Sequence, residues 1–178
     1  MKHSVTGVLK RILYIAAGIA PLVITILTFA ATQGNYRKFK DNYNSFERDV
    51  DAVFEYVHGL NGKTTPERLS YIRDIRAEAY RKLDDIESAL DYFENLEPPE
   101  SMTADYTEVR AAVPDMRDLI SKLRAVFDST LADDFKKSCA VVGEAAGKQE
   151  STNGFQYKLM IFKGKLDGRH REDGFTWN

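Results

Sequence analysis

The stretch FKDNYNSFERDVDAVFEYVHGL, Phe39 to Leu60, decides the fold class. Its apolar residues Phe39, Tyr43, Phe46, Val50, Val53, Val57 and Leu60 fall at alternating steps of four and three, and the positions between are mostly Asp, Asn, Glu, Arg and Lys. Such steps return a side chain to the same side of a 3.6-residue helix, so the stretch is an amphipathic helix with a heptad seam. A single helix cannot bury its own seam, and partner helices are expected further along the chain.

They follow at once. The segment TTPERLSYI opens with Thr64 and Glu67 at capping-box spacing and with Pro66 in the first turn, where its missing N–H costs nothing. Leu69, Ile72, Ile75, Ala79, Leu83, Ile86, Leu90, Phe93 and Leu96 then mark one stripe, which Pro98 and Pro99 stop. A third seam runs through Met102, Tyr106, Val109, Val113, Met116, Ile120, Leu123 and Phe127. Pro114 interrupts its backbone without breaking its register, which predicts one kinked helix rather than two, started by Ser101 or Thr103 as cap. A fourth helix is expected after Thr130, capped by its hydroxyl, with Leu131, Phe135, Cys139, Val142 and Ala146 as its apolar stripe. ESTNGF reads as a break. In the last segment, FQYKLMIFKGKL, Phe155, Leu159, Phe162 and Leu166 fit a helix, while Phe155, Tyr157, Leu159 and Ile161 fit a strand; helix is preferred. Short connections make successive helices antiparallel.

Upstream lies ILYIAAGIAPLVITILTFAAT, Ile12 to Thr32, with 21 residues and no charge. Signal-peptide cores are about 7 to 15 residues long and a spanning helix needs about 20, so the length predicts an anchor. Cleavage is disfavoured because Thr28-Phe29-Ala30, the best frame, places a bulky Thr where a small residue is wanted. Lys2, Lys10 and Arg11 flank one end and Arg37, Lys38 and Lys40 the other. The charge rule is nearly tied, and a short basic head before a long apolar run favours a cytoplasmic N-terminus. The expected architecture is all-α: a cytoplasmic head at 1–11, a transmembrane signal-anchor at 12–32 and an antiparallel up-down four-helix bundle at 33–150, with helices about 36–60, 65–97, 102–129 and 131–149. A basic, aromatic segment at 151–178, a short helix or an extended stretch, follows and is expected to fold back on the bundle.

Candidate chemistry is sparse. Glu55 and His58 have the Glu-x-x-His spacing of di-iron bundles, but the motif occurs once where two are needed. No Cys/His cluster suits zinc, no haem motif appears, and Cys139 sits on an apolar stripe where thiols act as small hydrophobes. Gly-x-Ser-x-Gly and phosphate loops are absent. None of the 27 acidic residues precedes Asp41, and residues 33–154 are strongly acidic, which argues against nucleic acid. No cofactor and no enzymatic activity are expected.

Two surfaces stand out. Tyr36, Arg37, Lys38 and Lys40 lie just beyond the apolar run, where aromatic and basic side chains meet the lipid interface. Tyr157, Lys158, Phe162, Lys163 and Trp177 are candidates for contact with a protein partner, in a segment whose positive balance contrasts with the acidic bundle. In layout the chain resembles the extracytoplasmic helical bundles of chemoreceptor sensor domains. The expected role is a membrane-anchored, non-enzymatic binding or accessory subunit of an envelope complex, touching lipid through its anchor and a protein through its bundle, with homo-oligomerisation open. Two alternatives are an immunity or exclusion protein that blocks a toxin or phage, and a small-molecule sensor with a pocket beside Pro114.

Overall fold

The computed structural model describes residues 34–172. Among them are five α-helices and one 3-10 turn, and no strand. Helix α1 covers residues 34–58, α2 Thr65–Glu94, α3 Thr103–Asp128, α4 Ala132–Glu150 and α5 Phe155–Glu172, and the turn is Glu100–Met102. The expected head and anchor, 1–11 and 12–32, lie outside the described residues, as does Trp177. No helix among the described residues is long and apolar enough to cross a membrane.

The end signals act locally, with some corrections. Thr64 donates from its N–H and its hydroxyl to the Glu67 carboxylate, at 2.7 and 2.8 Å, and these bonds hold that carboxyl below its usual range. Gly62, at φ 73°, takes the left-handed conformation that turns the chain out of α1. Helix α2 stops at Glu94 rather than 97: Asn95 makes the last helical bond to the Asp91 carbonyl, leaves the helical conformation at φ −104° and ψ 13°, and its side-chain amide donates to the same carbonyl. Neither Ser101 nor Thr103 caps α3, which starts from Met102 with no side-chain cap. Thr130 does not cap α4 either; Leu131 holds the N-cap position and is 63% exposed rather than part of the apolar stripe. Helix α3 runs unbroken through Pro114, and Val109, Val113 and Met116 are all buried there, so these residues line no pocket beside the proline.

The contacts between helices fix direction. On α3, Arg117 bridges Asp91 and Glu94 while Arg124 bridges Asp84 and Glu87, two forks that set an antiparallel register with α2. The two helices also cap each other. The Tyr106 hydroxyl lies 2.8 Å from the carbonyls of both Phe93 and Glu94, and Arg76 Nε donates to the Phe127 carbonyl at 2.7 Å, so carbonyls left orphaned at each C-terminus find donors on the neighbour. Helices α1 and α2 are antiparallel as well, joined by the buried pair of Asp49 and Lys82 at 2.6 Å.

The fourth leg is made of two helices. Phe46 stacks edge-on with Phe155, Phe39 with Phe162, and Tyr36 donates to Asp167, so α5 runs antiparallel to α1. Helix α4 runs the same way: Phe135 near its start lies beside Leu60, and Gln149 at its end lies beside Phe46 and Val50. Helices α4 and α5 are one interrupted leg, and the bundle extends beyond residue 150, where the sequence reading placed its end. The last segment is helical because Phe155, Leu159, Phe162 and Leu166 all bury in the core at the helical period.

The interruption is built from Gln149 and Gly154. The buried Gln149 side chain accepts from the Phe155 N–H at 3.0 Å and caps α5. A Cβ on Gly154 would lie 2.2 Å from the Gln149 carbonyl oxygen, a backbone atom that cannot step aside. Gly154→Ala is therefore expected to destabilise the protein by about 1–3 kcal/mol. Gly143→Ala, where nothing stands within 4 Å, is expected to stabilise by about 0.5–1 kcal/mol. Urea unfolding of the two variants side by side checks this, and shifts of the same sign would contradict it.

The core is continuous through all five helices, with Phe39, Phe46, Phe93, Phe127, Phe155 and Phe162 its largest buried side chains. Several tyrosines share its edge. Burial pushes the Tyr92 phenol from 10 up to about 12, and burial likewise raises Tyr43, Tyr80 and Tyr106. A phenol whose folded pKa exceeds its unfolded value contributes stability that is complete below pH 10 and is lost as the pH climbs toward about 12. Alkaline titration is expected to show a late class of the nine tyrosines ionising together with loss of the helical signal. A single class near pH 10 with the helices intact would contradict it.

Candidate functional site

Helix α5 is apolar on two sides. Its inner stripe closes the core. Its outer side carries Tyr157, Met160 and Ile161, which are 38%, 48% and 40% exposed. At 100° per residue these three fall in one sector of about 100°, together with Gly164 and Gly168. A side chain placed on either glycine would meet open space. A large exposed apolar side chain standing alone needs no explanation, but three that share a face with two glycines form a patch.

Next to this face, where α4 gives way to α5, a groove of about 290 Å³ opens toward α1. Tyr43, Glu47, Asp51, Gln156, Tyr157 and Met160 are among its walls. Glu47 accepts from the Tyr43 hydroxyl, and Asp51 is exposed, so this margin of the patch is acidic. The opposite margin, toward α3, is basic: Lys158, Lys165 and Arg169 recur along it, and Lys165 reaches Asp105 of α3. Among the described residues neither Lys158 nor Arg169 has an ion-pair partner. Asp167 on the α1 side bonds Lys163 and Tyr36. Burial pushes its carboxyl up, but those bonds outweigh burial and hold it below the usual range.

At the far end of the bundle a second depression, of about 490 Å³, lies among Val57, Leu60, Arg68, Phe135, Lys136 and Cys139. Burial pushes the Cys139 thiol up, the direction opposite to that of a reactive thiolate. Glu55 and His58 are exposed, and no group of three or more His, Cys, Asp or Glu among the described residues could hold a metal ion.

The residues singled out from sequence divide as follows. Tyr157 lies in the outer patch and Lys158 on its margin. Phe162 is 1% exposed and packs on Phe39 and Tyr106, so it serves the core and is not available to a partner. Lys163 is engaged with Asp167 and lies over the Tyr43 ring. Tyr36 ties α1 to α5, Lys38 lies over the Tyr92 ring, Lys40 lies over Tyr36, and Arg37 is exposed. Met160, Ile161, Gly164 and Gly168 were missed. Their signal was present as the double periodicity that made this segment read as helix or strand: a second apolar stripe laid over the first.

The chain matches no protein-family model, no curated protein and no solved structure.

Proposed function

We propose that this protein is a membrane-anchored, extracytoplasmic helical bundle that works without catalysis, as a protein-binding or accessory subunit, and that the outer face of α5 is its contact surface. The observation that carries the reading is the exposed cluster of Tyr157, Met160 and Ile161 beside Gly164 and Gly168. Aromatic and methionine side chains are enriched at protein interfaces, and contiguous exposed apolar surface marks contact sites. The anchor rests on the uncharged run of Ile12 to Thr32 and its length.

Both halves are testable. For the anchor, alkaline carbonate washing of membranes from expressing cells should leave the chain in the pellet, and protease added outside should cut the bundle. Release by carbonate would sink it. For the contact surface, a photoreactive phenylalanine analogue at Tyr157 should yield a protein adduct on irradiation of intact cells, while the same analogue at Ser88, exposed on α2, should not. Absence of any protein adduct at Tyr157 would refute the contact role.

A further inference from the structure

The outer face of α5 has a shape and a charge pattern that specify one kind of partner. Gly164 and Gly168 are one turn apart, and each weakens a helix relative to alanine. Among the described residues nothing approaches them, so their small size serves no packing there. A glycine pair at this spacing leaves a shallow groove in which a second helix backbone can lie close. The apolar side chains Met160 and Ile161 stand one turn before it, placed to pack on the neighbour.

The margins supply complementarity. Toward α3 lie Lys158, Lys165 and Arg169; toward α1 lie Asp167, which Lys163 and Tyr36 bond, and, across the groove, the carboxylates Glu47 and Asp51. When two copies of such a helix pack in parallel about a two-fold axis, the α3-side margin of each faces the α1-side margin of the other. Arg169, which has no ion-pair partner among the described residues, then stands toward Asp167 of the second copy, and Lys158 toward its Glu47. In an antiparallel pair each margin faces its own counterpart, which sets three basic positions against three. We propose that the protein forms a parallel, two-fold homodimer through Tyr157, Ile161, Gly164 and Gly168. This rests on the contact role proposed for the same face and, for its direction, on the anchor, since two chains entering one bilayer by their N-termini stand parallel.

The test uses the full chain in its membrane, with Cys139→Ser removing the native thiol. Ile161→Cys and Gly168→Cys, each alone, are expected to form a disulfide-linked species of twice the chain mass on mild oxidation, and Ser88→Cys is not. Adding Gly164→Leu to the Ile161→Cys chain should reduce that species at least tenfold. Because the space at Gly164 is open, its unfolding transition should remain cooperative. Dimers from a mixture of the two cysteine variants but from neither alone would show antiparallel packing and overturn the proposal. So would no dimer from any variant, or a dimer indifferent to Gly164→Leu. The Tyr157 photoadduct separates the two ideas: an adduct to a different protein alone ends the homodimer but keeps the contact role, whereas no adduct ends both.

Discussion

Replacing Phe93 with alanine is expected to lower the unfolding free energy by about 3–5 kcal/mol. Phe93 is fully buried near the end of α2, and its ring lies 5.9 Å from that of Phe39, 5.8 Å from Phe46 and 6.1 Å from Phe155, so one side chain joins α1, α2 and α5. Its loss leaves a cavity between helices already tied by other contacts, which limits collapse and keeps the cost high. Domains are stable by only about 5–15 kcal/mol, so the variant stands near the edge of folding at 37 °C. Urea unfolding should show a lower midpoint with an unchanged slope. Glu108→Ala, at an exposed position of α3, should change stability by less than about 0.5 kcal/mol. If Phe93→Ala cost no more than Glu108→Ala, the aromatic cluster would not be what joins the fourth leg to the bundle.

Lys82→Met is expected to cost a similar amount, about 3–5 kcal/mol, for a different reason. The Asp49 side chain is 3% exposed, and Lys82, 14% exposed, meets it at 2.6 Å. Without the ammonium, Asp49 keeps only the Ser45 hydroxyl at 3.3 Å and the outlying Arg48 at 3.6 Å, the latter from a side chain 70% exposed. The penalty belongs to the uncompensated carboxylate more than to the lost pair. Asp49→Leu combined with Lys82→Met should therefore recover most of the stability. Raising salt to about 1 M should hardly affect the wild-type contribution of this buried pair, whereas exposed pairs such as that of Arg81 with Glu78 are screened. A double variant as unstable as Lys82→Met alone would show that the pair acts by geometry, not by mutual neutralisation.

Asp49 also shows where sequence reading stops. It lies in the opening stretch three residues after Phe46 and four before Val53, on the flank of the seam, whereas Asp51 points away and is exposed; the flank position alone does not say whether an aspartate there is solvated or buried. Its burial depends on Lys82, on another helix. The same holds for Arg117 and Arg124: their spacing of seven is visible, but the carboxylates each one forks between belong to α2. End signals behaved similarly. Thr64 and Glu67 are neighbours in the chain, so their box was legible. The donors that satisfy the ends of α2 and α3, Tyr106 and Arg76, come from across the bundle and were not.

By itself the sequence determined where the seams of the first four helices run and that ESTNGF breaks the chain after the fourth, and it left the last segment readable as helix or strand. These follow from periodicity and from turn and capping chemistry, which act over one or two turns. The tertiary structure decided that α4 and α5 are one broken leg, that Phe162 faces inward while Ile161 faces out, and that an aspartate in the first seam is buried. The sequence offered the stripe Phe155, Leu159, Phe162 and Leu166 beside a strand reading of the same segment, and contact with Phe39, Phe46 and Tyr106 is what settles the helix and leaves Tyr157, Met160 and Ile161 at the surface.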